Sequence, residues 1–222
     1  MVSITTASRI HLGLLSIPQV GGGNPHGGES SLFPLRRFGG VGLMVSEPRL
    51  RLTVMRSTAW KGSGPSSERG IEFGKRYTQS LGVSDPFEII VEKIPPEHVG
   101  LGVGTQLGVA VARGIAELLG QDSRNVVELA RRVGRGDRSA VGIHGSVHGG
   151  FLVEAGKLPQ EPISPLIYRQ SVPSDWRLIL VIPNQAGQWH GERERSAFAQ
   201  LSSTPQTTEG LCRLILQGMI PA

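Results

Sequence analysis

Apolar and polar or small residues alternate loosely over residues 2–15 and again over 41–55, where Leu50, Leu52 and Val54 fall at period two, so both stretches predict half-buried strands. Residues 86–93 repeat the pattern with Phe87, Ile89 and Val91 and end before Pro95-Pro96. Shorter strands are predicted at 151–154, after Gly149-Gly150, and at 177–182. Helical spacing takes over in residues 106–119, where Leu107, Val111, Ile115 and Leu118 form one stripe and Gly120 is placed to cap the end. Residues 123–133 follow suit with Val126, Ala130 and Val133, arginines in the last turn and Gly134 beyond. A helix over 68–81 is weakened by Gly70 and Gly74. Further helices are expected near 192–201 and 209–217, the second with Leu211, Leu214 and Ile215 on one face.

Glycine, proline and serine fill residues 18–34, which predicts a mobile loop, and break the pattern again at 60–67. Prolines also punctuate 159–175, the expected linker. The chain therefore divides into an N-terminal domain over 1–158, a linker over 159–175, and a segment over 176–222 that opens an incomplete C-terminal domain. Strands backed by packed helices make the first an α+β domain. At 222 residues the chain exceeds a domain of about 100–150 and can bury a real core.

A net charge of +5 and a pI near 10.0, carried mostly by arginine, favour anionic partners. Only 5% of the residues are aromatic, and no basic-aromatic run or recognition helix is visible, so phosphorylated small molecules are expected rather than nucleic acid. With Cys212 as the only cysteine, an internal disulfide or thiolate zinc cluster is impossible. The first twenty residues lack a basic start followed by an apolar run, and nowhere do eighteen apolar residues follow one another. The expected location is the cytoplasm, without a membrane partner, and a homodimer stays open.

Three glycines at alternate positions in Gly100-Leu101-Gly102-Val103-Gly104-Thr105-Gln106 stand directly before the 106–119 helix. Glycines let a backbone approach a bulky anion, successive N–H groups can converge on its oxygens, and a helix start adds favourable partial charge. Thr105 can cap the helix and offer its hydroxyl to a phosphate or to magnesium. A tight strand-to-helix connection is the plain alternative. The spacing fits neither the dinucleotide-binding Gly-x-Gly-x-x-Gly nor a Walker loop, which would end in Gly-Lys-Ser/Thr.

Gly134-Arg135-Gly136-Asp137-Arg138-Ser139 is the next candidate, because guanidinium groups there can hold a phosphate or carboxylate in bidentate fashion. Arg131, Arg132 and Arg135 would equally serve to neutralise a helix C-terminus. His144 can exchange a proton near neutrality, or be a hydrogen-bonded structural residue. His144 and His148 are four apart, but Gly142, Gly145, Gly149 and Gly150 argue against a continuous helix and so against a metal pair. His190, Glu192 and Arg193 follow the last predicted strand and line either a site or a solvated helix turn. Arg9 and His11 face the same choice on the first strand: pocket or surface.

The glycine run, preceded by Pro96, resembles the second motif of the galactokinase, homoserine kinase, mevalonate kinase and phosphomevalonate kinase (GHMP) superfamily. It departs at Val103 and Gly104, where serines are usual. That variant is similar to the β-ribofuranosylaminobenzene 5′-phosphate synthase branch, as are Arg9-Ile-His-Leu with Arg37-Phe-Gly-Gly-Val-Gly-Leu, the 134–145 run, and Ile182-Pro-Asn with His190-Gly-Glu-Arg-Glu.

The resemblance implies a GHMP-type N-terminal domain of the ribosomal protein S5 domain 2-like fold, with a mixed sheet. It implies decarboxylating phosphoribosyl transfer from phosphoribosyl pyrophosphate to a 4-aminobenzoate-like acceptor, with release of pyrophosphate and carbon dioxide, in methanopterin biosynthesis. Gly102, Gly104, Thr105 and Gln106 would take the pyrophosphate, with Gly100 also in the phosphate-binding turn and Mg2+ held mainly by the substrate's phosphates. Arg135, Ser139, Arg9, His11, His190, Glu192 and Arg193 would bind substrate, and His144, Asp137 and Arg138 would act in catalysis. His144 stands close to where many GHMP kinases carry an aspartate, which argues against ordinary kinase chemistry. An ATP-dependent small-molecule kinase and a non-catalytic remnant are the alternatives. No further glycine-rich loop follows Arg177, so low activity is expected of the 222-residue form, to be tested against a C-terminally extended one.

Overall fold

A computed structural model describes residues 1–16, 36–182, 196 and 205–222. Its sheet is built around one long strand. β2 (Phe38–Arg56) pairs antiparallel with β1 (Val2–Ser16) along nearly its whole length. β2's first half also pairs with β5 (Phe151–Glu154), and its second half with β4 (Phe87–Lys93). β3 (Lys61–Ser63) adds to β4 in parallel, and β6 (Leu166–Gln170) adds antiparallel to β5. The order β3-β4-β2-β5-β6, with β1 against β2, is a mixed sheet.

Helices α1 (Ser67–Ser80), α2 (Val103–Leu119) and α4 (Val141–His148) pack against it, and α3 (Val126–Arg132) packs on those three helices. The period-two residues Leu50, Leu52 and Val54 and the α2 stripe Leu107, Val111 and Ile115 are all fully buried against one another. Alternation along β5 separates two further clusters: Leu152 meets Met44 and Val141 of α4, whereas its neighbour Val153 meets Val41 and Ile215. Ile215 opens a π-helical turn, Ile215–Met219, that extends α5 (Pro205–Leu214).

Several expectations are corrected. Residues 177–182 form no strand: Ile179 and Val181 are each 88% exposed, and an apolar run makes no ladder without a partner. The segment read as a linker instead carries β6, which pairs with β5 from Phe151↔Gln170 onward. β3 lies where 60–67 suggested only a break. α4 is continuous through Gly142 and Gly145, because both glycines are packing positions: a Cβ would meet Gln106 Nε2 at 3.3 Å from Gly142, and the Met44 side chain from Gly145. The loop expected at 18–34 and, Ser196 apart, the helix expected at 192–201 lie outside the described residues. Among the described residues no helix is long and apolar enough to cross a membrane.

Close approach of α2 to β2 depends on Gly114, whose Cβ position is 2.7 Å from Cγ2 of fully buried Val54. Alanine gains about 1 kcal/mol of helix propensity over glycine, but forcing a methyl into a packed core costs about 1–3 kcal/mol. Val54 is β-branched and stiff, so the second effect wins. Gly114→Ala is expected to lower stability by about 1 kcal/mol in urea denaturation; a more stable variant would show that the helix and strand can part freely.

Candidate functional site

Between β4 and α2 the chain turns through three left-handed residues, His98 (φ 61°), Gly100 (φ 85°) and Gly102 (φ 71°). This geometry brings the start of α2 up beside β1, where the Arg9 N–H donates to the Leu101 carbonyl at 3.0 Å. Gly102 is the N-cap and supplies no side chain, so α2 starts without a side-chain cap, and the Thr105 and Gln106 N–H groups both donate to the Gly102 carbonyl, at 3.1 and 3.2 Å. Thr105 lies inside the first turn, which corrects the expectation that it caps the helix; the residue is half-buried.

Arginines surround this uncapped start. The Cβ position of Gly102 is 3.0 Å from Arg9 Nε, and that of Gly104 is 2.5 Å from Arg69 Nη2 and 3.3 Å from Arg135 Nη2. Side chains at 102 or 104 would thus displace the guanidinium groups. Gln106 is 1% exposed; its Nε2 donates to the Gly142 carbonyl at 2.7 Å, while its Oε1 has no hydrogen-bond partner among the described residues. Burial lowers the Arg135 pKa to about 10, assisted by the neighbouring charges of Arg69 and Arg76; Asp137 acts in the opposite sense.

A second polar group ties β1 to the head of α4. Gly13 N–H donates to His11 Nδ1 at 3.2 Å, which leaves the ring proton on Nε2, facing Ser139 Oγ at 3.2 Å. Ser139 donates in turn to Glu154 Oε1 at 2.6 Å, and fully buried Glu154 also accepts from the Ala140 N–H at 2.7 Å. Burial first, then the charge of Arg9, holds the His11 pKa down from 6.5 to about 4.

Of the residues expected at a site, Arg9, Gly102, Gly104, Thr105, Gln106 and Arg135 come together at the α2 start, with His11 and Ser139 adjoining through β1. Gly100 shapes the turn, and nothing lies within 4 Å of its Cβ position. Asp137 is exposed and Arg138 half-buried on the loop after α3. His144 is buried in α4, where its Nε2–H donates to the Ser164 carbonyl at 2.8 Å. His190, Glu192 and Arg193 lie outside the described residues. Sequence reasoning missed Arg69, Gly142 and Glu154. Arg69 carries no local signal, but Glu154 does, as an acidic residue closing an otherwise apolar buried strand.

Comparison with known proteins follows the same outline. The profile of the GHMP kinases N terminal domain matches residues 70–150, from α1 to the end of α4. Proteins named β-ribofuranosylphenol 5′-phosphate synthase are similar over almost the entire chain. The one from Methanothermobacter thermautotrophicus is 32% identical, covering 99% of this chain and 69% of its own. That from Archaeoglobus fulgidus is 31% identical, covering 100% and 70%. Among solved structures, a Listeria monocytogenes protein assigned as a homoserine kinase shares the fold at a TM-score of 0.51 and 16% identity, over 89% of this chain and 64% of that one.

The depressed His11 pKa makes stability depend on pH. In the unfolded chain this histidine takes up a proton as pH falls through 6.5, whereas in the fold it stays neutral until about 4. The contribution is full above pH 6.5 and is lost as pH falls towards 4, by about 2 kcal/mol after allowance for partial exposure. Urea denaturation at pH 7 and 4.5 is expected to show that loss, and His11→Gln to flatten it; an unchanged slope would place the titration elsewhere.

Proposed function

This chain belongs to the family of β-ribofuranosylphenol 5′-phosphate synthases, on the GHMP kinase fold, and we propose that it transfers the phosphoribosyl group of phosphoribosyl pyrophosphate to a 4-substituted benzoate, releasing pyrophosphate and carbon dioxide, in methanopterin biosynthesis. The observation that carries the proposal is the uncapped α2 start with arginines on both its sides, Arg9 at Gly102 and Arg69 with Arg135 at Gly104. Helix-start amides and guanidinium groups suit an anion that gains charge as it leaves.

In the reaction the bond from ribose C1 to the pyrophosphate oxygen breaks, and C1 bonds to the ring carbon bearing the carboxylate. That carboxylate then departs as carbon dioxide, and its bonding electrons restore the aromatic ring. Carbon dioxide leaves in the place of a proton, so the transfer requires no general base. Fixed hydrogen bonding of His144 to Ser164 and a neutral His11 are compatible with such chemistry. The relatives' name specifies a phenol, and the sequence resemblance an aminobenzene; either para substituent donates electrons to the ring during attack.

Gly102, Gly104, Thr105 and Gln106 form the phosphate-binding turn in this proposal, with Arg9 beside the pyrophosphate; Ser139, held by Glu154, fixes the loop that carries Arg135, Asp137 and Arg138. Thr105 Oγ1 is the side-chain oxygen at the α2 start, and no cluster of three His, Cys, Asp or Glu stands together among the described residues. In this proposal Mg2+ would be held mainly by the substrate's phosphates, where it would supply positive charge to the leaving pyrophosphate. An ATP-dependent kinase is the disfavoured reading, and a non-catalytic binding protein is the third.

Carboxyl-labelled 4-hydroxybenzoate and 4-aminobenzoate, incubated with phosphoribosyl pyrophosphate and Mg2+, are expected to release labelled carbon dioxide in step with pyrophosphate. Gly104→Ala, whose methyl would press on Arg69, is expected to lower kcat/KM for phosphoribosyl pyrophosphate by about 10- to 100-fold. Turnover of ATP without carbon dioxide release would establish the kinase instead, and binding without turnover of either substrate the non-catalytic protein.

A further inference from the structure

Gly104 is flanked by two guanidinium groups from elements far apart in sequence. Arg69, in the first turn of α1, donates from Nη1 to Glu97 Oε1 at 2.9 Å, and that ion pair leaves Nη2 directed at α2. Arg135 comes from the loop after α3. The same Cβ position on Gly104 lies 2.5 Å from Nη2 of the first and 3.3 Å from Nη2 of the second. Both guanidinium groups lie near the Phe73 ring, their carbons 5.8 and 4.8 Å from its centroid, so an apolar wall backs the pair. Arg135 Nε is buried without a hydrogen-bond partner among the described residues. Arg76, held by the Val133 carbonyl at 3.2 Å, adds a third positive charge nearby.

Carboxylates balance this charge only in part. Glu97 is already engaged by Arg69, and Asp137 is exposed at its loop. Like charges gathered on a low-dielectric wall, at the positive end of a helix, repel one another unless an anion joins them. Arg9 lies on a different residue of the turn, against Gly102 and within 3.8 Å of the Gly142 Cβ position. The helix start thus separates Arg9 from the Arg69–Arg135 pair, and an α-helix with its side chains is about 10 Å across. A ribose bearing phosphates at both C1 and C5 presents two anions at comparable separation.

We propose that Arg69 and Arg135 form a second anion subsite, on the Gly104 side of α2, that takes the 5-phosphate monoester of the sugar substrate while the pyrophosphate lies on the Arg9 side. The assignment rests on the phosphoribosyl reading above and extends it to the far end of the substrate. A monoester dianion offers three terminal oxygens, which two guanidinium forks can grip together.

Calorimetric titration of the full chain with ribose 5-phosphate, inorganic pyrophosphate, phosphoribosyl pyrophosphate, 4-hydroxybenzoate and ATP tests the division. Arg69→Gln is expected to weaken ribose 5-phosphate about 10- to 100-fold and leave pyrophosphate nearly unchanged, and Arg9→Gln to do the reverse. Arg69→Lys, which keeps the charge but not the fork, should fall between Arg69→Gln and the unaltered chain, and it supplies the result if Arg69→Gln does not fold. Equal losses for both phosphates, or a loss confined to 4-hydroxybenzoate, would overturn the second subsite while leaving the phosphoribosyl reading intact. Binding of ATP with no binding of phosphoribosyl pyrophosphate, or of no phosphorylated probe at all, would overturn that reading and the subsite with it.

Discussion

The start of α2 has to be bare. Gly102 caps it without a side chain, Gly104 carries none in the first turn, and Gly142 brings α4 within reach of Gln106. A methyl at 102 or 104 would occupy the space of a guanidinium nitrogen. The cost of leaving helix-start amides uncapped and arginines gathered is one a protein bears where an anion is to be bound. The layout of β1, α1 and the loop after α3 serves this constraint, because each delivers one arginine to the same helix end.

Rigidity comes from the sheet side of the site. Glu154 is wholly buried yet satisfied, accepting from Ser139 Oγ and the Ala140 N–H, and through Ser139 it reaches His11 on β1. A buried carboxylate with both oxygens engaged fixes the groups that engage it. The loop bearing Arg135 is therefore anchored at Ser139, while Gly134 and Gly136, with φ of 68° and 103°, let it turn sharply before that anchor.

Elements with a regular apolar period were legible in the sequence: the α2 stripe, the Leu50-Leu52-Val54 alternation and the β5 segment all fold as their spacing predicts. Local pattern failed where the decisive fact was a distant partner. Residues 177–182 alternate like a strand but find no ladder, whereas 166–170 find one beside β5 despite the prolines around them. Glycines misled in the 141–148 segment, where they permit close helix packing rather than break the helix. At the site, the glycine turn and Arg135 announced themselves through local chemistry. Arg69 did not, because an arginine in an amphipathic helix looks like solvated surface until the fold sets it over Gly104.

The chemistry and the geometry constrain each other. Ipso attack on a benzoate discharges carbon dioxide instead of a proton, which removes the need for a general base and moves the catalytic burden to stabilising separated charge: a leaving pyrophosphate and a cationic ribose carbon. A site made of backbone amides and arginines fits that burden, since guanidinium groups stay charged across the working pH range. On this fold the α2 start thus gathers arginines from three separate elements, and their charge decides what the glycine turn can stabilise.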